Sequence, residues 1–119
     1  MIQVNIVIHR KQTRLDGSAH DFLFTTVYVD VSERNPRLVD FSVSQFLFLD
    51  QKHAVIRFDC AHGYLNVHRF FESKTNRTDY QDQVPSAELY EQCKKDIHSN
   101  WTEYREKYLK KWKTKHHFI

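Results

Sequence analysis

The chain has 119 residues, of which 40% are hydrophobic and 14% aromatic. This length suits one domain with a packed core, and the composition excludes a disordered tail. The net charge of +3 excludes a strongly basic protein, and no apolar run reaches the roughly 18 residues that a membrane-spanning helix needs. The N-terminus lacks the charged region and cleavage site of a signal peptide, so we expect a cytoplasmic protein without a membrane partner.

The first 72 residues predict an antiparallel sheet of about five strands. Apolar residues alternate with polar ones at the start of the chain, and the turn dipeptide Asp16-Gly17 precedes a second strand. The segment 46–49 is apolar on both faces, which favours a central position for the third strand. The predicted strands are 2–8, 22–31, 38–49, 54–59 and 65–72.

The C-terminal third predicts one long helix. Residues 73–85 are polar without an apolar period and predict a surface connection. Ser86 is a good N-cap, and the helix is expected over 86–113, followed by a basic, histidine-containing tail over 114–119. Its apolar stripe, spaced by three and four residues, comprises Tyr90, Cys93, Ile97, Trp101, Tyr104, Tyr108 and Trp112. The fold class is therefore α+β: a single domain, 1–119, in which an antiparallel sheet packs against one helix.

The hairpin formed by the fourth and fifth strands carries the densest group of ionisable residues. The candidates for a catalytic site are Arg57, Asp59, His62, His68 and Arg69. Two histidines can act as general base and general acid, arginines can hold a phosphate, and an aspartate can orient a histidine. These are the groups required for metal-independent cleavage of RNA. The alternative interpretation is a polar sheet face with an ordinary Arg57–Asp59 ion pair. The turn register decides which of the residues share a face.

A metal site is a weaker alternative at the same place. Asp59, Cys60, His62 and His68 could supply ligands, but Cys60 should point away from Asp59 on an extended strand, and the spacing matches no zinc signature. We therefore expect no metal and no cofactor. Cys60 and Cys93 are interpreted as buried free thiols.

The end of the predicted helix is the second candidate surface. The charge excess lies there, since residues 1–86 hold ten Lys and Arg against ten Asp and Glu, whereas residues 87–119 hold eight against five. An aromatic residue within a basic cluster suits a nucleic-acid backbone or a protein partner. The candidate binding residues are Lys110, Lys111, Trp112, Lys113 and Lys115, followed by His116 and His117.

Two segments carry a resemblance to a known family. The stretch Arg57-Phe-Asp-Cys-Ala-His-Gly63 followed by Val67-His-Arg69 resembles the Arg-Tyr-Asp…Ala-His…His pattern of small prokaryotic proteins related to TumE-type toxins, including archaeal relatives, and residues 96–105 resemble their C-terminal helix. The resemblance implies a site at Arg57, Asp59, His62 and His68, an RNA-directed toxin-like activity and an antitoxin partner. The chain departs from the pattern because only His68 follows the Ala-His element, where those toxins carry a denser run of histidines.

The sequence therefore predicts a small RNA-directed protein. If it is an enzyme, we expect a toxin-like, metal-independent ribonuclease. His62 and His68 would be the acid–base pair, Arg57 and Arg69 the phosphate contacts, and Asp59 the orienting group. The alternative is a non-catalytic interaction domain that binds a protein or nucleic acid through the basic helix end. Exposed sheet edges would favour a homodimer by sheet extension.

Overall fold

A six-stranded antiparallel meander and one long helix make up the described part of the chain. The computed structural model describes residues 5–72 and 76–116, with side chains as far as residue 113. The strands lie in the sheet in the order of the sequence, so each connection joins neighbours. The elements are β1 (Ile6–Arg14), β2 (Asp21–Asp30), β3 (Arg37–Phe48), β4 (Lys52–Asp59), β5 (Leu65–Arg69), β6 (Arg77–Tyr80) and α1 (Ala87–His116).

The α+β class and the sheet-plus-helix arrangement are confirmed, but the sheet has six strands rather than about five, and several boundaries differ from the prediction. The first strand continues to Arg14 rather than ending at Ile8, and the fourth begins at Lys52. The segment predicted as a surface connection contains β6, which pairs with β5 along Leu65–His68. The fifth strand ends at Arg69 rather than Glu72, and α1 continues to His116, into the predicted tail. The predicted strand residues Ile2 and Val4, and the tail residues from His117 onward, lie outside the described residues.

The helix begins and packs as its sequence predicts. The Ser86 hydroxyl accepts a hydrogen bond from the backbone N–H of Leu89 at 3.0 Å, which satisfies an orphan donor of the first turn. The stripe residues are all buried or half-buried, and Cys93 and Ile97 join a core with Val43, Ile56 and others from the sheet. Burial raises the pKa of both cysteine thiols to about 12, as expected for inert structural cysteines.

The helix covers one face of the sheet along β3 and β4. The register places Thr25, Val43, Phe58, Val67 and Thr78 side by side on this helix face. The next row toward the helix C-terminus joins Leu23, Gln45, Ile56 and Arg69. The side chain of Gln45 donates to the carbonyl of Trp101 at 3.0 Å, which ties the middle of the helix to the sheet.

The opposite face of the sheet is not covered by any element of the described ranges, and we call it the open face. One row crosses five strands on this face and consists of Phe24, Ser44, Arg57, His68 and Arg77. The next row holds Thr26, Ser42, Asp59, Asn66 and Asp79. Polar side chains therefore occupy the centre of a sheet whose other side forms the core.

The long helix α1 is amphipathic rather than apolar throughout. No helix in the part of the chain that the structure describes is long and apolar enough to cross a membrane.

Candidate functional site

The β4–β5 register brings three of the predicted site residues together. Arg57 lies directly opposite His68, and Asp59 lies opposite Asn66. Because side chains alternate across a strand, all four project from the open face. The site is therefore built by two neighbouring strands with little freedom to change its spacing.

Asp59 is the centre of this group. Its Oδ2 lies 3.7 Å from Nε of Arg57 and 3.8 Å from Nε2 of His68. Its Oδ1 accepts a hydrogen bond from the backbone N–H of Ala61 at 3.2 Å, which fixes the carboxylate at the end of β4. Both separations from Oδ2 exceed hydrogen-bond length, so the carboxylate acts on Arg57 and His68 through its charge.

The electrostatic environment of His68 favours the neutral imidazole. Desolvation by burial lowers the pKa of His68, and the positive charges of Arg57 and Arg77 act in the same direction, against the raising effect of Asp59 and Asp79. A neutral imidazole can accept a proton at neutral pH.

Strand β6 adds two charged residues that the sequence interpretation missed. Arg77 lies opposite His68, and Asp79 lies opposite Asn66. Nε of Arg77 donates to Oδ1 of Asp79 at 2.7 Å. The signal in the sequence is the alternation of Arg77-Thr-Asp79-Tyr80, which is compatible with a strand but too short and polar to identify one.

The site also contains two buried polar atoms that lack a hydrogen-bond partner. Nε of Arg57 and Oδ1 of Asn66 are buried and have no hydrogen-bond partner among the described atoms. Buried polar groups are normally satisfied by protein or water. The ring of Phe70 lies beside Arg57 and His68, with its centroid 5.5 Å from the Arg57 guanidinium carbon and 6.0 Å from the His68 ring, nearly parallel to it. An unsatisfied donor and an aromatic ring thus lie together at Arg57, whereas the unsatisfied Oδ1 belongs to the fully buried side chain of Asn66.

Two predicted site residues are not part of this group. Arg69 lies opposite Ile56 on the helix face, where its guanidinium donates to Oγ1 of Thr78 at 3.0 Å. His62 lies exposed in the β4–β5 turn, where its ring is near that of Tyr64, at 6.3 Å between centroids. The register therefore places Arg69 on the other side of the sheet from His68, and its role as a phosphate contact stays a prediction of the sequence. The described contacts do not join His62 and His68 into an acid–base pair.

The basic helix end is partly engaged in the fold. The Lys111 ammonium donates to the backbone carbonyls of Phe70 and Glu72 at 2.8 and 2.9 Å, and the Trp112 ring meets His53 edge to face at 6.1 Å. Lys113 is exposed, and Lys110 is exposed but has an interaction partner. The side chains of Lys115 and His116, and all of His117, lie outside the described residues. Two of the predicted binding residues thus hold the helix to the sheet.

The geometry for the alternative metal site is not assembled. Cys60 is buried on the helix side with the core, away from Asp59. Among the side chains described, those of residues 5–72 and 76–113, the structure places no three His, Cys, Asp or Glu groups where they could hold one ion.

Comparison with known protein families gives a match. A family model described as "Domain of unknown function (DUF7718)" matches residues 11–114, which include the end of β1, all of β2 to β6 and nearly all of α1. Comparisons with curated proteins and with solved structures gave no match.

Proposed function

The chain belongs to the DUF7718 family, and we propose that it is an RNA-directed protein whose open sheet face binds RNA, with a metal-independent cleavage centre at His68. The observation that carries this proposal is the meeting of Arg57, Asp59 and His68 on a face that the helix leaves accessible. Each has a chemical role in phosphodiester cleavage.

His68 is the general base of the proposed reaction. Its lowered pKa keeps the imidazole neutral, so it can take the proton of a ribose 2′-hydroxyl, whose oxygen then attacks the adjacent phosphorus. The 5′-oxygen leaves with a proton from water. Arg57, with an unsatisfied Nε, and Arg77 supply the positive charge that the phosphorane needs. Asp59 orients His68 and is a positioning residue.

RNA binding without cleavage is the second candidate, and one observation favours it. The described contacts leave His62 apart from His68, so the two-histidine acid–base pair has no geometric support. The same open face would then serve as a binding surface. The antitoxin partner and the homodimer remain predictions of the sequence.

Cleavage of total cellular RNA in excess EDTA tests the proposal. We expect His68→Ala to slow cleavage by about 10²–10⁴-fold, the usual contribution of a general base. His62→Ala is the matched control, because it removes the same side chain from the turn, and it should retain most of the activity. Cleavage that proceeds equally in the His68→Ala protein would exclude catalysis at this centre. Absence of cleavage in the wild type, with RNA still bound, would favour the second candidate.

A further inference from the structure

Four phenylalanines form an aromatic cluster on the open face beside the His68 centre. The centroids of Phe24 and Phe46 are 4.8 Å apart, those of Phe22 and Phe48 are 5.1 Å apart, and those of Phe24 and Phe48 are 6.3 Å apart. All four side chains are half-buried. Aromatic side chains of this size normally complete a core, but here they lie on the side of the sheet away from the helix.

Cations lie directly against these rings. The Lys52 ammonium is 4.4 Å from the centroid of Phe24 and 4.2 Å from that of Phe46, and the Arg14 guanidinium carbon is 5.9 Å from that of Phe22. Both distances for Lys52 are within the range of a cation–π contact. Lys52 and Arg14 are exposed, so the cluster combines flat apolar rings with accessible positive charge.

The cluster and the His68 centre belong to one continuous row. Phe24 lies opposite Ser44, Ser44 opposite Arg57, and Arg57 opposite His68. Neighbouring strands are about 4.8 Å apart, so Phe24 lies about 14 Å from His68 across the sheet. A few nucleotides of a single strand can span this distance.

Most cations of the open face lie in other rows than its aspartates, although Arg57 and Arg77 each form an ion pair with an aspartate of the next row. The rows that contain the phenylalanines hold Arg14, Arg57 and Arg77, with Lys52 beyond them opposite Phe48. The aspartates lie in the following rows, where Asp59 is opposite Ser42, Asp79 is opposite Asn66, and Asp40 is opposite Tyr28. The aromatic half of the face is therefore the half that suits a polyanion.

We propose that the Phe22–Phe24–Phe46–Phe48 cluster is a stacking subsite for the bases of single-stranded RNA, and that Lys52 and Arg14 contact its phosphates. Every base has a π face, so such a subsite accepts many sequences but rejects a duplex, whose bases are already stacked. The proposal rests on the proposed function, because it extends the same RNA from His68 across β4 and β3 to β2. It assigns the substrate as unpaired RNA.

Binding of a 2′-O-methyl oligouridylate, measured by fluorescence anisotropy, tests the subsite without cleavage, since its 2′ oxygen cannot attack. Loss of base stacking weakens single-strand binding by roughly 5- to 160-fold per base. We expect a loss in that range for Phe24→Leu/Phe46→Leu, which keeps apolar bulk and removes the rings, and a smaller loss for Lys52→Gln. Arg10→Gln is the matched control, because it removes one exposed cation of the open face from the row of Asp59.

The outcomes separate the two proposals. Weaker binding by the phenylalanine variant and by Lys52→Gln, with Arg10→Gln near wild type and a blunt RNA duplex bound poorly, supports the subsite. Wild-type affinity in both the phenylalanine variant and Lys52→Gln overturns the subsite. This result would leave the proposed function intact if His68→Ala still abolishes cleavage. Lys52→Gln changes only an exposed side chain, so its result decides the test if the phenylalanine variant does not fold. Failure of the wild type to bind the oligouridylate overturns the subsite as well, whatever the cleavage assay shows.

Discussion

The protonation of His68 depends on a balance between burial and the charges around it. Burial and the two arginines lower its pKa, whereas the carboxylates of Asp59 and Asp79 raise it. The Asp59 carboxylate lies 3.8 Å from Nε2 of His68. The pKa of His68 is therefore a direct test of whether these charged side chains lie around it as the strand pairing places them.

We expect Asp59→Asn to lower the pKa of His68 further, because the substitution removes a negative charge that stabilises the imidazolium. An NMR titration of the His68 ring resonances measures this pKa. The pH dependence of any RNA cleavage should change in the same way, because His68 must be neutral to act as a base. The cleavage rate should therefore fall at a lower pH in the Asp59→Asn protein than in the wild type. Asp40→Asn is the control: Asp40 lies on the same face but is not among the groups that shift His68. An unchanged or higher pKa in Asp59→Asn would contradict the described arrangement.

At the scale of elements, the C-terminal half of α1 is held to the sheet by polar contacts as well as by its apolar stripe. The Lys111 ammonium binds two carbonyl groups just beyond β5. The Tyr108 hydroxyl lies 3.0 Å from Nδ1 of His53, and the Trp112 ring also contacts His53. These contacts keep the end of β5, and with it Phe70, in a defined position beside the site.

Lys111→Met should lower the free energy of unfolding by about 1–2 kcal/mol, because it leaves two carbonyls without their charged donor while it keeps most of the apolar stem. Urea unfolding monitored by tryptophan fluorescence measures this change. Lys113→Met removes the same charge from an exposed position two residues later and should change stability by less than about 0.5 kcal/mol. Equal effects of the two substitutions would mean that the carbonyl contacts do not stabilise the helix end.

The same elements show how far the sequence predicts this fold. The helix and its core stripe could be predicted, because spacings of three and four residues have no other simple explanation. The strand β6 could not, because Arg77-Thr-Asp-Tyr80 is polar and gains its order from pairing with β5. The face of Arg69 could not be predicted either. A shift of one residue in the β4–β5 turn exchanges His68 and Arg69 between the two faces, and only tertiary packing selects the register.

At the scale of the molecule, the sheet separates the apolar core from the proposed RNA-binding surface. The helix face carries the apolar core, and the open face carries the charged row and the phenylalanine cluster. The sequence interpretation placed phosphate contacts at the hairpin, and it named the basic helix end as a further nucleic-acid surface because lysines surround Trp112 there. The open face is a second candidate surface for RNA. Its charged residues become neighbours only when strands β2 to β6 pair, so the sequence does not show them as one group.

The salt dependence of RNA binding distinguishes the two surfaces. Each cation that binds a phosphate releases counterions, and for single strands each such ion pair contributes about 0.7 to the slope of log K against log salt. We expect Lys52→Gln, on the open face, to reduce the slope by about that amount, and Lys113→Gln, on the helix end, to leave it unchanged. Both substitutions remove one exposed lysine, so they differ only in location. The reverse result would assign RNA binding to the helix end, and the open face would then have no role as the RNA surface.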